Sequence, residues 1–401
     1  MTDHQLVVVG GGPAGMMAGY LFARAGVRTL VIEKHGDFLR DFRGDTVHPS
    51  TLDLFDELGL LDRLLERPHD KVTHVGATIR GREYRIADFR HLPGRGRFMA
   101  MMPQWEFLDF LAGAARRLPD FALARNIEAV GLAEEDGRIT GVRIADGTTQ
   151  RARLVIAADG RGSVLRAAAG LPLRDLGAPI DVLWFRLPKH RTPENATGLI
   201  VGRGDLLVTI DRGDYWQCAR VIRKGGAEAL KARGLDAFRA DVVTIAPQLA
   251  DAIDAVRDWE DVKLLSVSLD RLERWHRPGF LAIGDAAHAM SPVGGVGINL
   301  AVQDAVAAAN LLAGPMRDGA DLDALLPKVR ERRRLPVAAI QAGQRLAHRR
   351  VLTPALEGRE PSAPLILRLL DRVPFLQRGP ARIIGLGFRR EHIRSPDAAK
   401  G

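Results

Sequence analysis

Three short glycine-bearing stretches lie far apart in this 401-residue chain: Gly10-Gly11-Gly12-Pro13-Ala14-Gly15, Ala158-Asp159-Gly160-Arg161-Gly162-Ser163 and Gly284-Asp285-Ala286-Ala287-His288. In the first, Gly10 permits a tight turn, Gly12 lets backbone approach a pyrophosphate, and Gly15 lets the next helix pack close on a sheet. Pro13 and Ala14 begin that helix, whose N-terminus offers partial positive charge to phosphates. Glu33, followed by Lys34, ends the next strand at about 20 residues' distance, where a carboxylate accepts hydrogen bonds from an adenosine ribose. Alone, this stretch does not separate NAD from FAD.

The other two stretches narrow the chemistry. Asp285 follows an apolar strand, so it stands at a strand end in a crevice, where an acceptor-only carboxylate can hold polyol hydroxyls. The continuation Pro292-Val293-Gly294-Gly295-Val296-Gly297-Ile298-Asn299 is a glycine-rich loop opening a helix. Its N–H groups and helix dipole could stabilise negative charge on a reduced flavin ring, which makes Pro292, Gly294 and Gly295 the candidate positions nearest the chemistry. Asp159-Gly160 also ends a strand, and Arg161 beside it can pair with phosphate. No Gly-x-Ser-x-Gly nucleophile and no histidine spacing suited to a metal accompanies them.

The elements that must position these groups can be read from periodicity. Gln5 to Val9, Pro13 to Ala25 and Thr29 to Ile32 give a right-handed βαβ start. Residues 45–65 suggest two helical pieces broken near Gly59, and 72–98 alternate like antiparallel strands. Gln104 to Arg117 is a helix with Phe107, Leu108, Leu111 and Ala115 on one face. A meander over 127–153 turns at Asp136-Gly137 and Asp146-Gly147. Leu154 to Ala158 and Phe280 to Ile283 are buried strands feeding the second and third stretches. A β-rich segment over 180–224, helices over 227–256 and a strand over 262–269 intervene, and a long helix begins at Asn299.

Composition sets bounds. Hydrophobic residues at 46% and charged residues at 27% are ordinary for a soluble globular chain. The lone Cys218 excludes an intrachain disulfide framework and fits a reducing compartment. The apolar run Leu6 to Val9 is too short for a signal peptide or a membrane span, so a cytoplasmic protein is expected. The formal charge of +9 owes much to arginine, as in Arg330-Glu331-Arg332-Arg333-Arg334. That run reads as a solvated helix face, with an anionic partner as the alternative. No nucleic-acid motif accompanies it.

Taken together, the motif set resembles the class A flavin monooxygenases, the para-hydroxybenzoate hydroxylase-like FAD proteins. Gly10 to Gly15 matches their dinucleotide motif, Asp159-Gly160 their DG motif, and Gly284 to Asn299 their GD motif and flavin loop. Arg43 looks like the family arginine near flavin and nicotinamide phosphates, and Gln104 like the glutamine that contacts the cofactor. The resemblance covers roughly residues 5–310.

It implies an α/β fold with a discontinuous, GR2-type Rossmann-like FAD-binding domain, an inserted β-rich substrate domain and a C-terminal helical region. The corresponding boundaries are 1–75, 98–179 and 275–355 for FAD, 76–97 and 180–274 for substrate, and 356–401 for the tail. The implied reaction uses NADH or NADPH as transient electron donor and O₂, and hydroxylates an aromatic or polycyclic small molecule through a flavin C4a-hydroperoxide. Trp184, Arg186, Tyr215, Trp216 and Gln217 are candidate substrate-lining residues. Strand alternation separates Tyr215 and Gln217 from Trp216 and Cys218 without saying which pair faces inward. His288 reads as a hydrogen-bonded structural residue.

Alternatives are a reductase of the same fold, resembling the geranylgeranyl reductases, and a non-catalytic flavin- or anion-binding protein. The Trp-x-Trp signature of flavin halogenases is missing. The tail, apolar and basic at 365–370 and 382–386, is expected to cover the protein's own core, with an interfacial membrane helix as the alternative. A monomer or a homodimer is expected.

Overall fold

The computed structural model describes residues 4–39, 46–79, 81–189, 198–359 and 365–400. Its first sheet is built around Leu6–Val9, which pairs in parallel with Thr29–Glu33 on one side and Leu154–Ala157 on the other. Phe121–Arg125 and Phe280–Ala282 extend it in parallel, and His276–Arg277 closes one edge antiparallel. Leu6–Val9 and Leu154–Ala157 are buried along their whole length, as continuous Val/Ile/Leu runs require in a sheet covered on both faces. Helix Pro13–Arg24 packs against the long helix Gly297–Arg317 and against Gln104–Ala115. The meander Ala129–Glu135, Arg138–Ile144 and Thr149–Arg151 is present. Its Asp136-Gly137 turn has φ of 49° and 76°, the left-handed pair of a type I′ hairpin.

The second sheet has seven strands in the order Lys263–Ser266, Ile180–Pro188, Tyr215–Arg223, Leu206–Asp211, Gly198–Val201, His74–Ile79 and Arg82–Asp88. One face packs on helices Ala227–Ala232 and Leu235–Ile245 through Phe185, Leu187, Trp216, Cys218 and Phe238. The other carries Val182, Trp184, Ala219 and Val221 against Val293 and Leu352. A small sheet of Thr46–Val47, Met99–Met101 and Asp70–Val72 lies between these parts of the chain in sequence.

Among the described residues the tail is α-helical at Leu365–Arg372 and Arg378–Gly385, with a 3₁₀ turn at Pro374–Gln377 between them, and residues 386–400 form no helix. That last stretch is pinned along the first layer by side chains. Arg24 pairs with Asp397 at 2.9 Å, Asn310 donates to the His392 carbonyl at 2.8 Å, and Glu57 accepts from the Ile393 N–H at 2.7 Å. Among the described residues, no helix is long and apolar enough to cross a membrane, and no group of three metal-ligating side chains occurs.

Candidate cofactor and substrate site

Gly10 has φ of +105°, and a Cβ there would lie 2.3 Å from the Ala158 carbonyl oxygen. The first motif and the strand leading into Asp159 therefore touch through backbone that only glycine allows. A Cβ on Gly15 would lie 1.9 Å from the Gly10 oxygen, so the helix closes on its own loop. A Cβ on Gly12 would meet no described residue within 4 Å apart from its chain neighbours. The first turn of the helix holds no acid, and among the described residues no side chain caps its N–H groups. Glu33 is buried and accepts from Gly11 N–H at 2.7 Å and His35 N–H at 3.1 Å, which fixes the loop to the second strand. Lys34 is exposed beside it.

The DG and GD motifs meet. Arg161 Nε donates to Asp285 Oδ2 at 3.1 Å, and Arg166 spans the Arg161 and Ala286 carbonyls at 2.7 and 3.2 Å. Asp159 turns inward instead: it accepts at 2.6 Å from the hydroxyl of Ser163, the N-cap of the short helix Val164–Ala168, and at 3.4 Å from the Leu165 N–H. Burial pushes its carboxyl above the usual range. Gly160 has φ of +87° and faces open space.

The loop from Pro292 is held from behind. Gly295 N–H donates to the Pro292 carbonyl at 3.0 Å, and Thr46 Oγ1 donates to the Gly295 carbonyl at 2.7 Å. Asn299 accepts from His48 N–H at 2.9 Å and Thr51 Oγ1 at 2.7 Å. Gln344, from helix Leu326–Ala347, donates to the Ser291 and Val293 carbonyls at 2.8 and 2.9 Å and accepts from Ser291 N–H at 3.2 Å. Gln341 does the same work one turn earlier, on the Asp270 and Ala289 carbonyls. That helix runs on into a π-helical stretch, His348–Leu352, whose His348 Nε2 lies 2.9 Å from Ser291 Oγ. Gly297 opens the next helix onto empty space, and Ile298 is buried in the core.

Sequence reading missed what lies under the GD motif. Asp304 is fully buried and accepts from Gly284 N–H at 3.1 Å. Its two oxygens also meet His288 Nε2 at 2.6 Å and Arg333 Nε at 2.8 Å. Glu391, from the tail, lies 3.6 Å from Arg333 and 2.7 Å from Arg332. Burial works to raise the Asp304 carboxyl, but His288 and Arg333 outweigh it and hold it below the usual range. The arginine run is thus not simply a solvated face, since Arg333 is 1% exposed. Asp304 left a signal, a lone carboxylate in the apolar run Ala301 to Ala309; Arg333, within a charged run, left none.

Arg43 lies outside the described residues. Gln104 opens helix Gln104–Ala115 and is half-buried. Of the substrate candidates, Trp184, Arg186, Tyr215 and Gln217 share the sheet face that meets Val293, by register with Val182 and Ala219. Trp216 does not, because alternation sends it into the helical layer with Cys218 and Phe185. Arg212 joins the face from its rim, donating to Gln217 Oε1 at 3.1 Å and to the Met101 carbonyl at 2.8 Å.

A family model described as "FAD binding domain" matches residues 3–343. The chain belongs to the class A flavin monooxygenase family. The monooxygenase is 34% identical over 397 residues to 6-methylpretetramide 4-monooxygenase of Streptomyces rimosus, covering 97% of this chain and 93% of that protein. It is 30% identical over 316 residues to a rifampicin monooxygenase of Streptomyces venezuelae, covering 75% of this chain and 62% of the relative. The fold matches that of p-nitrophenol 4-monooxygenase PnpA from Pseudomonas putida, with a TM-score of 0.79 at 20% identity over 97% of this chain and 99% of the other. The enzyme is an FAD-dependent oxidoreductase.

The residues fit such a group. Arg161 Nη1 is buried beside Asp285 without a hydrogen-bond partner among the described residues, and a Cβ on Gly12, Gly160 or Gly297 would meet no described neighbour within 4 Å.

Proposed function

We propose that this monooxygenase hydroxylates a polycyclic aromatic substrate held between the Pro292–Asn299 loop and the Trp184/Gln217 face of the second sheet. When bound, FAD supplies hydride acceptance from NAD(P)H and the activation of O₂; the protein supplies position, electrostatics and dryness. Gly12, Pro13 and the open helix N-terminus would receive the diphosphate, with Glu33 and Lys34 toward the adenosine and Arg161 available to a phosphate oxygen. Asp285 would accept from ribityl hydroxyls, and Gln104 would reach the ring system. The N–H groups around Gly294 to Ile298 would face its pyrimidine edge, where negative charge collects on reduction.

The single observation that carries this reading is the direct Arg161–Asp285 bond, which brings two motifs 124 residues apart to one point. Support for the polycyclic class comes from the relatives' names and from a broad face bearing Trp184, Arg186, Tyr215 and Gln217. In this reading the first sheet with its helices is the discontinuous Rossmann-like FAD domain. The seven-stranded sheet with its helices is the substrate domain inserted into it.

The test is to purify the protein, record its flavin spectrum, and screen phenolic polycyclic aromatics for stimulated NAD(P)H oxidation. Oxygen uptake matched to product heavier by one oxygen atom is the expected result. Anaerobic turnover with alkene reduction would replace hydroxylation by the reductase reading.

A further inference from the structure

Helix Leu365–Arg372 has its inward side engaged: Leu370 is buried, Leu367 packs beneath the second sheet, and Asp371 pairs with Arg82. Its outward side is bare. Leu365 is 81% exposed, and Ile366 and Leu369 share its face by helical spacing and are exposed too. Val373, Phe375 at 67%, Leu376, Ile383 and Phe388 continue the apolar surface along the tail. Arg368, Arg372, Arg378, Arg382 and Arg389 stand exposed among them, and none forms an ion pair with any described residue. Arg378 stacks on Phe375 at 4.9 Å, keeping cation and ring on one surface. Between residues 365 and 390 the only carboxylate is Asp371, and it is turned toward Arg82.

We propose that this face docks the enzyme on an anionic lipid surface, with the tail helix lying flat in the headgroup layer. A cluster of large exposed apolar side chains is costly in water and marks a contact surface. Charge selects the occupant. A second copy meeting the same face about a two-fold axis would set arginines against arginines with no facing carboxylate. A lipid layer instead offers phosphates at one depth and acyl chains just below. This matches Leu365, Ile366, Leu369 and Val373 on one helix face with Arg368 and Arg372 along its flank.

The test is flotation of the flavin-loaded enzyme with vesicles of equal parts phosphatidylcholine and phosphatidylglycerol, against phosphatidylcholine alone. Flotation with the anionic vesicles only, weakened by salt, is expected. Arg372→Gln should lower the partition roughly fivefold, and Leu369→Glu with Phe375→Glu should abolish it, with flavin content and circular dichroism unchanged. Three results would overturn the proposal. They are no flotation at low salt, flotation indifferent to the Leu369/Phe375 pair, and a dimer seen by light scattering that the pair dissolves in place of any flotation.

Discussion

The Gly10–Gly15 loop is held by its own strand, its own helix and the end of the next strand, through the Ile32 carbonyl and the Glu33 carboxylate, and it touches backbone at Ala158 and Asp159. The Pro292–Asn299 loop and the GD motif before it are held by groups from four other segments: the Thr46 hydroxyl with the His48 N–H, the Thr51 hydroxyl, the Gln344 amide, and Asp304 with its partners Arg333 and Glu391. One end is a local solution that glycine spacing nearly dictates. The other is a buried polar assembly that exists only once distant helices and the tail have packed. Stability and cofactor geometry should therefore be coupled tightly at the second end and loosely at the first.

Removing the centre of the second end should have the largest effect. Asp304→Ala strips the counter-charge from Arg333 and the partner from His288, both buried, at a cost of about 3–5 kcal/mol. Thermal unfolding should shift down by many degrees and flavin content should fall with it; an unchanged midpoint would break the proposed coupling. Asp285→Ala makes the contrast, since Asp285 is partly exposed and, among the described residues, its carboxylate is bonded only to Arg161. It should leave a folded but colourless protein, with FAD binding weakened about 10- to 100-fold, as for loss of hydrogen bonds to a charged group. A yellow mutant with full flavin content would remove Asp285 from the cofactor site.

The same contrast explains what was legible beforehand. The βαβ start, the meander with its Asp-Gly turn and the two strands feeding Asp159 and Asp285 announced themselves through local pattern: apolar runs, turn residues, fixed glycine spacing. The face choice between Gln217 and Trp216 was not legible, because alternation gives two faces and only the packing of helix Leu235–Ile245 decides which is inner. The direction of the Asp159 side chain was hidden for a related reason. A carboxylate at a strand end can point to a ligand or back to cap the next helix, and Ser163 four residues on captures it. Arg333 was hidden because charged residues in a run look solvated until Asp304, 29 residues earlier, and Glu391 from the tail are brought beside it.

An intermediate effect is expected where the second end meets the chemistry. Gln344→Leu leaves two carbonyls and one N–H of Ser291 and Val293 without this partner, so the loop should shift while the fold persists. Turnover should fall about 10- to 100-fold through misplacement, with near-normal flavin content. Smaller still, Gln217→Leu should raise the substrate KM several-fold, since its Nε2 is buried on the face that meets Val293 with no hydrogen-bond partner among the described residues. Trp216→Phe, on the outer face, should leave KM alone; the reverse ranking would move the substrate off this face.

The finest discrimination comes from pH. His48 Nδ1 lies 2.7 Å from the Ile384 carbonyl, which can only accept, so Nδ1 carries the proton. Burial holds its pKa below the ordinary imidazole value. The unfolded chain then binds the proton more readily than the folded one, so stability is complete above about pH 6.5 and declines as pH falls below it. Asp304, also held low, adds loss in the same sense only at more acidic pH, as its carboxylate is titrated. His48→Gln keeps a donor for Ile384 and cannot take up the proton, so it should flatten the slope of unfolding free energy between pH 6.5 and 5. His276 and His348, lowered by burial as well, should leave a residual slope. Because His48 N–H also anchors Asn299, the wild-type enzyme should release flavin over the same acidic window and the variant less so. Parallel flavin release in both would place that release elsewhere than the tail-to-loop contact.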